Sequence, residues 1–142
     1  MAAQSSAKTM WEGDLAHGSG TTTPASGAFE AVDVSWASRT ARAAGKTSPE
    51  ELLAAAHASC YCMAFSHELA EAGNAPERLE ATATLEFEPG EGVRSSHIEV
   101  RGRVPGIDQD AFAQAARAAG EGCPISGALK GNVEITVDAT LE

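Results

Sequence analysis

The chain has 142 residues, 43% of them apolar, and a formal net charge of −10 at pH 7. This length suits one globular domain, and the apolar fraction excludes a disordered chain. The 10 Lys and Arg are scattered without a basic stripe, which argues against nucleic acid and anionic membrane as partners.

The N-terminus, "MAAQSSAKTMWEGD", lacks the apolar core of a signal peptide. The longest uncharged run, residues 52–66, falls short of the roughly 18–20 residues a membrane span needs. A cytoplasmic location is therefore expected, and in a reducing compartment the three cysteines are expected to be free, catalytic or metal-bound. Large side chains are few, with four Phe, two Trp and one Tyr. Part of the burial is accordingly expected to come from oligomerisation.

Along the chain, residues 1–8 read as a flexible tail of a single domain covering 1–142. "TMWEGD", "GSGTTTPASG" and "AFEAVDVSW" read as short strands joined by Gly-rich turns. "ASRTARAAGK", residues 37–46, has no alternation and reads as a loop. The strongest helix signal opens at "TSPEE", with Ser48 as N-cap, Pro49 at the first helical position and Glu51 completing a capping box. This helix is expected to run to Ala72 and stop at Gly73, a left-handed cap. It is small or apolar nearly all round, the mark of a central helix.

Two alternating strands follow. "LEATATLEFE" puts Leu79, Ala81, Ala83, Leu85 and Phe87 on one face, and "HIEVRGRV" does the same with Ile98, Val100 and Val104. A helix over Asp108–Gly120 packs Phe112. "CPISGALK" then reads as a short helix with Cys123 at the cap and Pro124 in its first turn. A last strand, Asn132–Leu141, turns Val133, Ile135, Val137 and Ala139 inward. Half-solvated strands without a repeated βαβ unit predict an α+β fold, with antiparallel β-sheets covered by helices on one face.

The cysteines carry the chemistry. Cys60 and Cys62 lie two apart on one helix, about 200° around its axis. They cannot converge to the roughly 3.5–4.5 Å between Cβ atoms that a disulfide requires. His57 and Cys60, three apart, are neighbours, and Glu50 lies on the same side two turns earlier. Cys62 shares its side with Ala55 and Leu69, so it is expected to fill core, a common place for a free cysteine. Cys60 is the candidate for chemistry. Cys123, at a helix N-terminus, is expected to have a lowered pKa. These arguments do not decide which of Cys60 and Cys123 attacks first. A metal held by His57, Cys60 and Cys123 is the weaker reading, because the spacing is not that of paired CxxC motifs. His57 is expected to be a structural hydrogen-bonder, with orientation of a water or of the thiol as its other possible role.

"GKTSPEELLAAAHASCYCMAFSHELAEAG" and, downstream, "GCPISGALKGNVEITVDATL" resemble the OsmC/Ohr family of thiol-dependent organic hydroperoxide reductases. "WEGDLAHGSGTTTPASGAF" and "VRGRVPGIDQDAF" extend the resemblance over nearly the whole chain, and the histidine of "AAHASC" is similar to the OsmC-type branch. The resemblance implies an intertwined homodimer whose β-sheets wrap long central helices, with active sites at the subunit interface. It implies a two-cysteine peroxidase with no bound cofactor and no metal, in which Cys60 is peroxidatic and Cys123 resolving. A thiol or lipoyl-type dithiol would be the external reductant, and organic hydroperoxides the substrate. It carries an active-site arginine onto Arg39 and a carboxylate onto Glu50. An apparent one-residue insertion in "RTARAAGKTSP" makes Arg42 a competitor for the arginine.

Charge supports such a set. A cysteine three turns into a helix gains little from the dipole, so its thiolate needs a nearby cation. An arginine held by a carboxylate supplies one. Glu50 and Cys60 are separated by about 15 Å of helix rise, so Arg39 and Glu50 are expected to serve Cys60 of the partner subunit. Tyr61, Phe65, Ile125 and Leu129 are the candidate apolar contacts for an alkyl or fatty-acid hydroperoxide, or else they simply pack the core. The rivals are a thiol redox sensor and a non-catalytic binding domain of the same fold. The first lacks any output module, and the second would be marked by a missing cysteine.

Overall fold

The computed structural model describes residues 1–41 and 45–142. The chain forms two compact units, Met1–Leu52 and Leu53–Glu142.

In the first unit, β1 (Ala7–Glu12), β2 (Ser19–Pro24) and β3 (Val32–Val34) make an antiparallel three-stranded sheet in sequential order. Ala7 and Lys8, expected in the tail, open β1 because they pair with Pro24 and Thr23. Every residue of β1 is exposed, Met10 and Trp11 included. A short helix, α1 (Trp36–Thr40), stands where a loop was expected. Ser35 and Ser38 cap it reciprocally, each side chain accepting from the other's backbone N–H. Five residues are too few for a periodic signal, so only this local serine exchange marks the helix.

The long helix α2 (Pro49–Glu71) starts where the capping signal places it. The Ser48 hydroxyl accepts the Glu51 N–H at 3.0 Å, while the Glu51 carboxylate accepts from the Thr47 hydroxyl at 2.8 Å. The helix ends with Gly73 at φ +83°, and the Asn74 N–H returns to the Leu69 carbonyl at 2.8 Å. Such a left-handed cap favours glycine.

The second unit holds β4 (Arg78–Glu88), β5 (Gly92–Arg103), α3 (Gln109–Gly122), α4 (Pro124–Leu129) and β6 (Glu134–Leu141), with sheet order β4-β5-β6. Both β4 and β6 alternate half-buried and exposed positions along the predicted faces, with Leu85 buried. The sheet is nevertheless mixed, which corrects the antiparallel expectation: β4 runs antiparallel to β5, but β6 runs parallel to it. The physical reason is the connection, since α3 and α4 lie between β5 and β6 and supply the crossover that parallel neighbours require. The core is built by Tyr61, Phe65 and Leu69 of α2, Ile98 and Val100 of β5, and Phe112 and Ala116 of α3. The Phe65 and Phe112 ring centroids are 5.1 Å apart. Among the described residues no helix is long and apolar enough to cross a membrane.

Candidate active site

Two groupings of predicted site residues are visible, one in each unit. In the first, Arg39 at the end of α1 meets Glu50 in the first turn of α2. Arg39 Nε donates to both carboxylate oxygens at 3.1 and 3.3 Å, and Nη2 donates to Oε1 at 2.5 Å. The Glu50 carboxylate is 3% exposed, so the guanidinium fork supplies the hydrogen bonds that burial denies it from water. The Trp36 ring lies 5.5 Å from the guanidinium carbon, and its face adds a cation–π contact. The fork-shaped cation is thus held from two directions, which fixes its orientation. Arg42, the competing arginine, lies outside the described residues.

In the second unit, the Cys60 and Cys123 sulfurs approach to 3.0 Å although 63 residues separate them in sequence. Both are free thiols. Cys60 is half-buried on α2, and Cys123 is buried as the residue shared by the end of α3 and the cap of α4. Pro124 at the first helical position fixes where α4 begins, and with it the direction of the Cys123 side chain. Cys62 is half-buried and stays apart from the pair, beside the Ala81 backbone, in a surface cavity it shares with Met63 and Ser66. This corrects the expected division of the helix: Cys60, not Cys62, packs against the core cluster, and Ala55, expected on the apolar side, is exposed. The side of α2 that carries His57 and Cys60 is the inner one because Tyr61, Phe65 and Leu69 continue it.

The two thiols are hydrogen-bonded to each other, and their surroundings decide which of them gives up its proton more readily. Burial pushes the Cys60 thiol up, and the Cys123 hydrogen bond raises it further, against a smaller lowering by the Ile125 N–H. Burial also pushes Cys123 up, but the hydrogen bond from Cys60, the Ser126 N–H and hydroxyl, and the Ile125 N–H outweigh it and leave that thiol below its ordinary value. Among the described residues, these contacts favour charge on Cys123, the thiol at the cap of α4, over charge on Cys60.

His57 is fully buried. Its Nδ1 faces the Ser96 hydroxyl and its Nε2 the Ser126 hydroxyl, each at 2.7 Å. Burial holds the ring below the ordinary histidine range and so neutral. Neither serine stands out in the sequence by periodicity. The available signal for Ser96 was its inward position in an alternating strand, with Ile98 and Val100, where a polar side chain demands a partner. For Ser126 it was a place in the first turn of the helix that Cys123 caps. Of the proposed substrate contacts, Tyr61 and Phe65 are 0% exposed, and the Tyr61 hydroxyl donates to the Ala116 carbonyl at 2.8 Å. These two are core residues with no surface left for a substrate, which corrects the expectation for them. Ile125 and Leu129 are half-buried and keep accessible surface. Among the described residues no three metal-ligating side chains converge.

The chain is similar to known proteins over almost its whole length. The sequence model of the family described as OsmC-like protein matches residues 42–138. The peroxiredoxin OsmC of Escherichia coli (strain K12) is 37% identical over 135 residues, spanning 93% of this chain and 92% of that protein. An organic hydroperoxide resistance protein of Xanthomonas axonopodis pv. citri (strain 306) is 28% identical over 97 residues, 64% of this chain and 65% of its own. In three dimensions, the crystal structure of the organic hydroperoxide resistance protein OhrB of Bacillus subtilis aligns with a TM-score of 0.69 at 26% identity, covering 95% of this chain and 98% of that one. With an α+β fold, two cysteines brought together from distant segments and these relatives, the chain belongs to the OsmC-like protein family.

Proposed function

We propose that the protein is a hydroperoxide reductase that converts organic hydroperoxides to alcohols through a Cys60–Cys123 dithiol cycle. The observation that carries the reading is the 3.0 Å approach of two free thiols 63 residues apart in the sequence. The names of the relatives, a peroxiredoxin and organic hydroperoxide resistance proteins, agree with it.

In the first step the Cys60 thiolate attacks the outer peroxide oxygen. An S–O bond forms, the O–O bond breaks, and the departing alkoxide takes a proton to leave as the alcohol. Cys60 is now a sulfenic acid. The Cys123 sulfur attacks it, the S–S bond forms, and hydroxide leaves with a proton as water. An external dithiol, small or carried on a lipoyl group, then reduces the disulfide by two electrons. Resolution by a thiol already in contact protects Cys60 from further, irreversible oxidation.

The weak point within one chain is the first thiolate, since burial and Cys123 both disfavour charge on Cys60. A cation beside it would reverse that preference and also hydrogen-bond the peroxide. The Arg39 guanidinium, already oriented by Glu50, is the proposed cation, supplied by a second copy of the chain in a homodimer. A β1 exposed throughout, with Met10 and Trp11 on it, and an exposed Met63 on α2 are apolar surface that such a partner would bury. Ile125 and Leu129 are proposed to contact the alkyl part of the substrate.

The test is dithiol-dependent turnover of cumene hydroperoxide against hydrogen peroxide, on the unmodified protein and on Cys60→Ser. The organic peroxide is expected to be the better substrate, and Cys60→Ser is expected to lose at least about a thousandfold in rate, the scale on which covalent catalysis is lost with its nucleophile. Equal turnover by the variant ends the reading.

A further inference from the structure

Arg39 is the cation proposed for the cycle above, and its hydrogen bonds to Glu50 are lopsided. Nε reaches Oε1 at 3.1 Å and Oε2 at 3.3 Å, while Nη2 reaches Oε1 at 2.5 Å. In a full fork, two nitrogens meet two oxygens through parallel bonds. Here the two shorter bonds end on the same oxygen, Oε1. Bonds that converge on one atom anchor the guanidinium but let its plane tip about that atom.

An aromatic face meets that plane. Trp36 opens α1 and Arg39 follows three residues later, which puts the two side chains on one side of the helix. The guanidinium carbon lies over the indole, 5.5 Å from the ring centroid, within the roughly 6 Å at which a ring face attracts a cation. That attraction opposes tipping away from the ring. A helix of five residues does not stand by itself. The reciprocal Ser35–Ser38 cap holds it, and Ser38 is 3% exposed. The half-buried indole is therefore presented from a pinned turn.

We infer that Trp36 is a positioning residue for the Arg39 guanidinium: Glu50 anchors the cation, and the indole face sets the tilt at which it is presented to the peroxide. This rests on the peroxidase reading above, with Arg39 beside Cys60 of the partner subunit, and deepens it. The two services of the arginine respond differently to tilt. Its charge favours the thiolate through a Coulomb attraction that depends on distance and hardly on angle. Its hydrogen bonds to the peroxide oxygens weaken steeply when misaligned. Removing the indole is therefore expected to slow oxygen transfer far more than it alters the thiolate.

The experiment compares Trp36→Leu and Trp36→Phe with the unmodified protein in the full chain. The Arg39 Nε–H resonance is followed by NMR in isotope-labelled protein and assigned by its absence in Arg39→Lys. In Trp36→Leu it is expected to lose its ring-current shift and to exchange faster with water; Trp36→Phe, which keeps an aromatic face, is expected to retain both. The kcat/KM for cumene hydroperoxide is expected to fall about tenfold in Trp36→Leu, part of the roughly hundredfold that 1 Å of misplacement can cost. Alkylation by iodoacetamide, quantified on the Cys60 peptide at fixed pH, is expected to stay within about twofold. An unmoved resonance in Trp36→Leu overturns the inference, and so does an unchanged kcat/KM. Trp36→Phe behaving like Trp36→Leu overturns it too. Alkylation that falls as far as turnover would mark a side chain that merely keeps α1 folded, and also overturns it. If Trp36→Leu does not fold, Trp36→Met decides by the same measurements. Because the resonance needs no peroxide, an unmodified protein without turnover fails the peroxidase reading, whereas an unmoved resonance fails this inference.

Discussion

Cys62 stands two residues from Cys60, and its different fate follows from the turn of the helix between them. Its side chain is directed toward the Ala81 backbone of β4, and burial raises its pKa, so it offers little thiolate. Cys62→Ala is therefore expected to keep hydroperoxide turnover within about twofold and to form the Cys60–Cys123 disulfide normally. Removing a half-buried sulfur is expected to cost about 1 kcal/mol or less. Peptide mass spectrometry of the oxidised variant checks the linkage, and a Cys62-dependent bridge in the unmodified protein would contradict it. Cys60 and Cys62 look like a motif in the sequence, but Cys60 meets Cys123, the cysteine that caps α4.

Between β5 and α3 the packing depends on a missing side chain. A Cβ at Gly102 would lie 2.6 Å from the Phe112 ring and 2.9 Å from a Leu79 methyl. Gly102 also pairs with Leu79 on β4 and with Leu141 on β6, so the strand cannot move aside alone. Gly102→Ala is expected to destabilise the protein by about 1–3 kcal/mol through overpacking. Urea denaturation measures this as a lower midpoint with an unchanged slope. An unchanged midpoint would mean that Phe112 is not held where it is seen.

For the whole molecule, the open question is which cysteine each Arg39–Glu50 pair serves. Under the proposed homodimer, Glu50 acts on Cys60 of the partner subunit, so two defective chains can complement each other. Cys60→Ala and Glu50→Ala proteins, unfolded and refolded together in equal amounts, form heterodimers with one complete site. Recovered activity of about a quarter of the unmodified level is expected from random pairing in a two-fold symmetric dimer. No recovery, with heterodimers present by native mass spectrometry, would count against the shared site.

Much of the fold was legible because its signals are local. Ser48, Pro49 and Gly73 bound α2 within a few residues of themselves, and Cys123 with Pro124 marks the start of α4. Alternation in β4 and β6 needs only neighbouring side chains to be read. The family, too, was readable from the blocks around Cys60 and Cys123. What the sequence alone determined is therefore the elements, their faces and the residues that bear thiols and charge. Tertiary structure decided the parallel pairing of β6 with β5, the meeting of Arg39 with Glu50, the 3.0 Å approach of Cys60 to Cys123, and the two serines around His57. Apart from Arg39 and Glu50, 11 residues from each other, these join positions far apart in the chain, 63 residues for the two cysteines and 39 and 69 for the two hydrogen bonds of His57. Such contacts are fixed by which faces pack together, and no local propensity or short-range pattern encodes that choice.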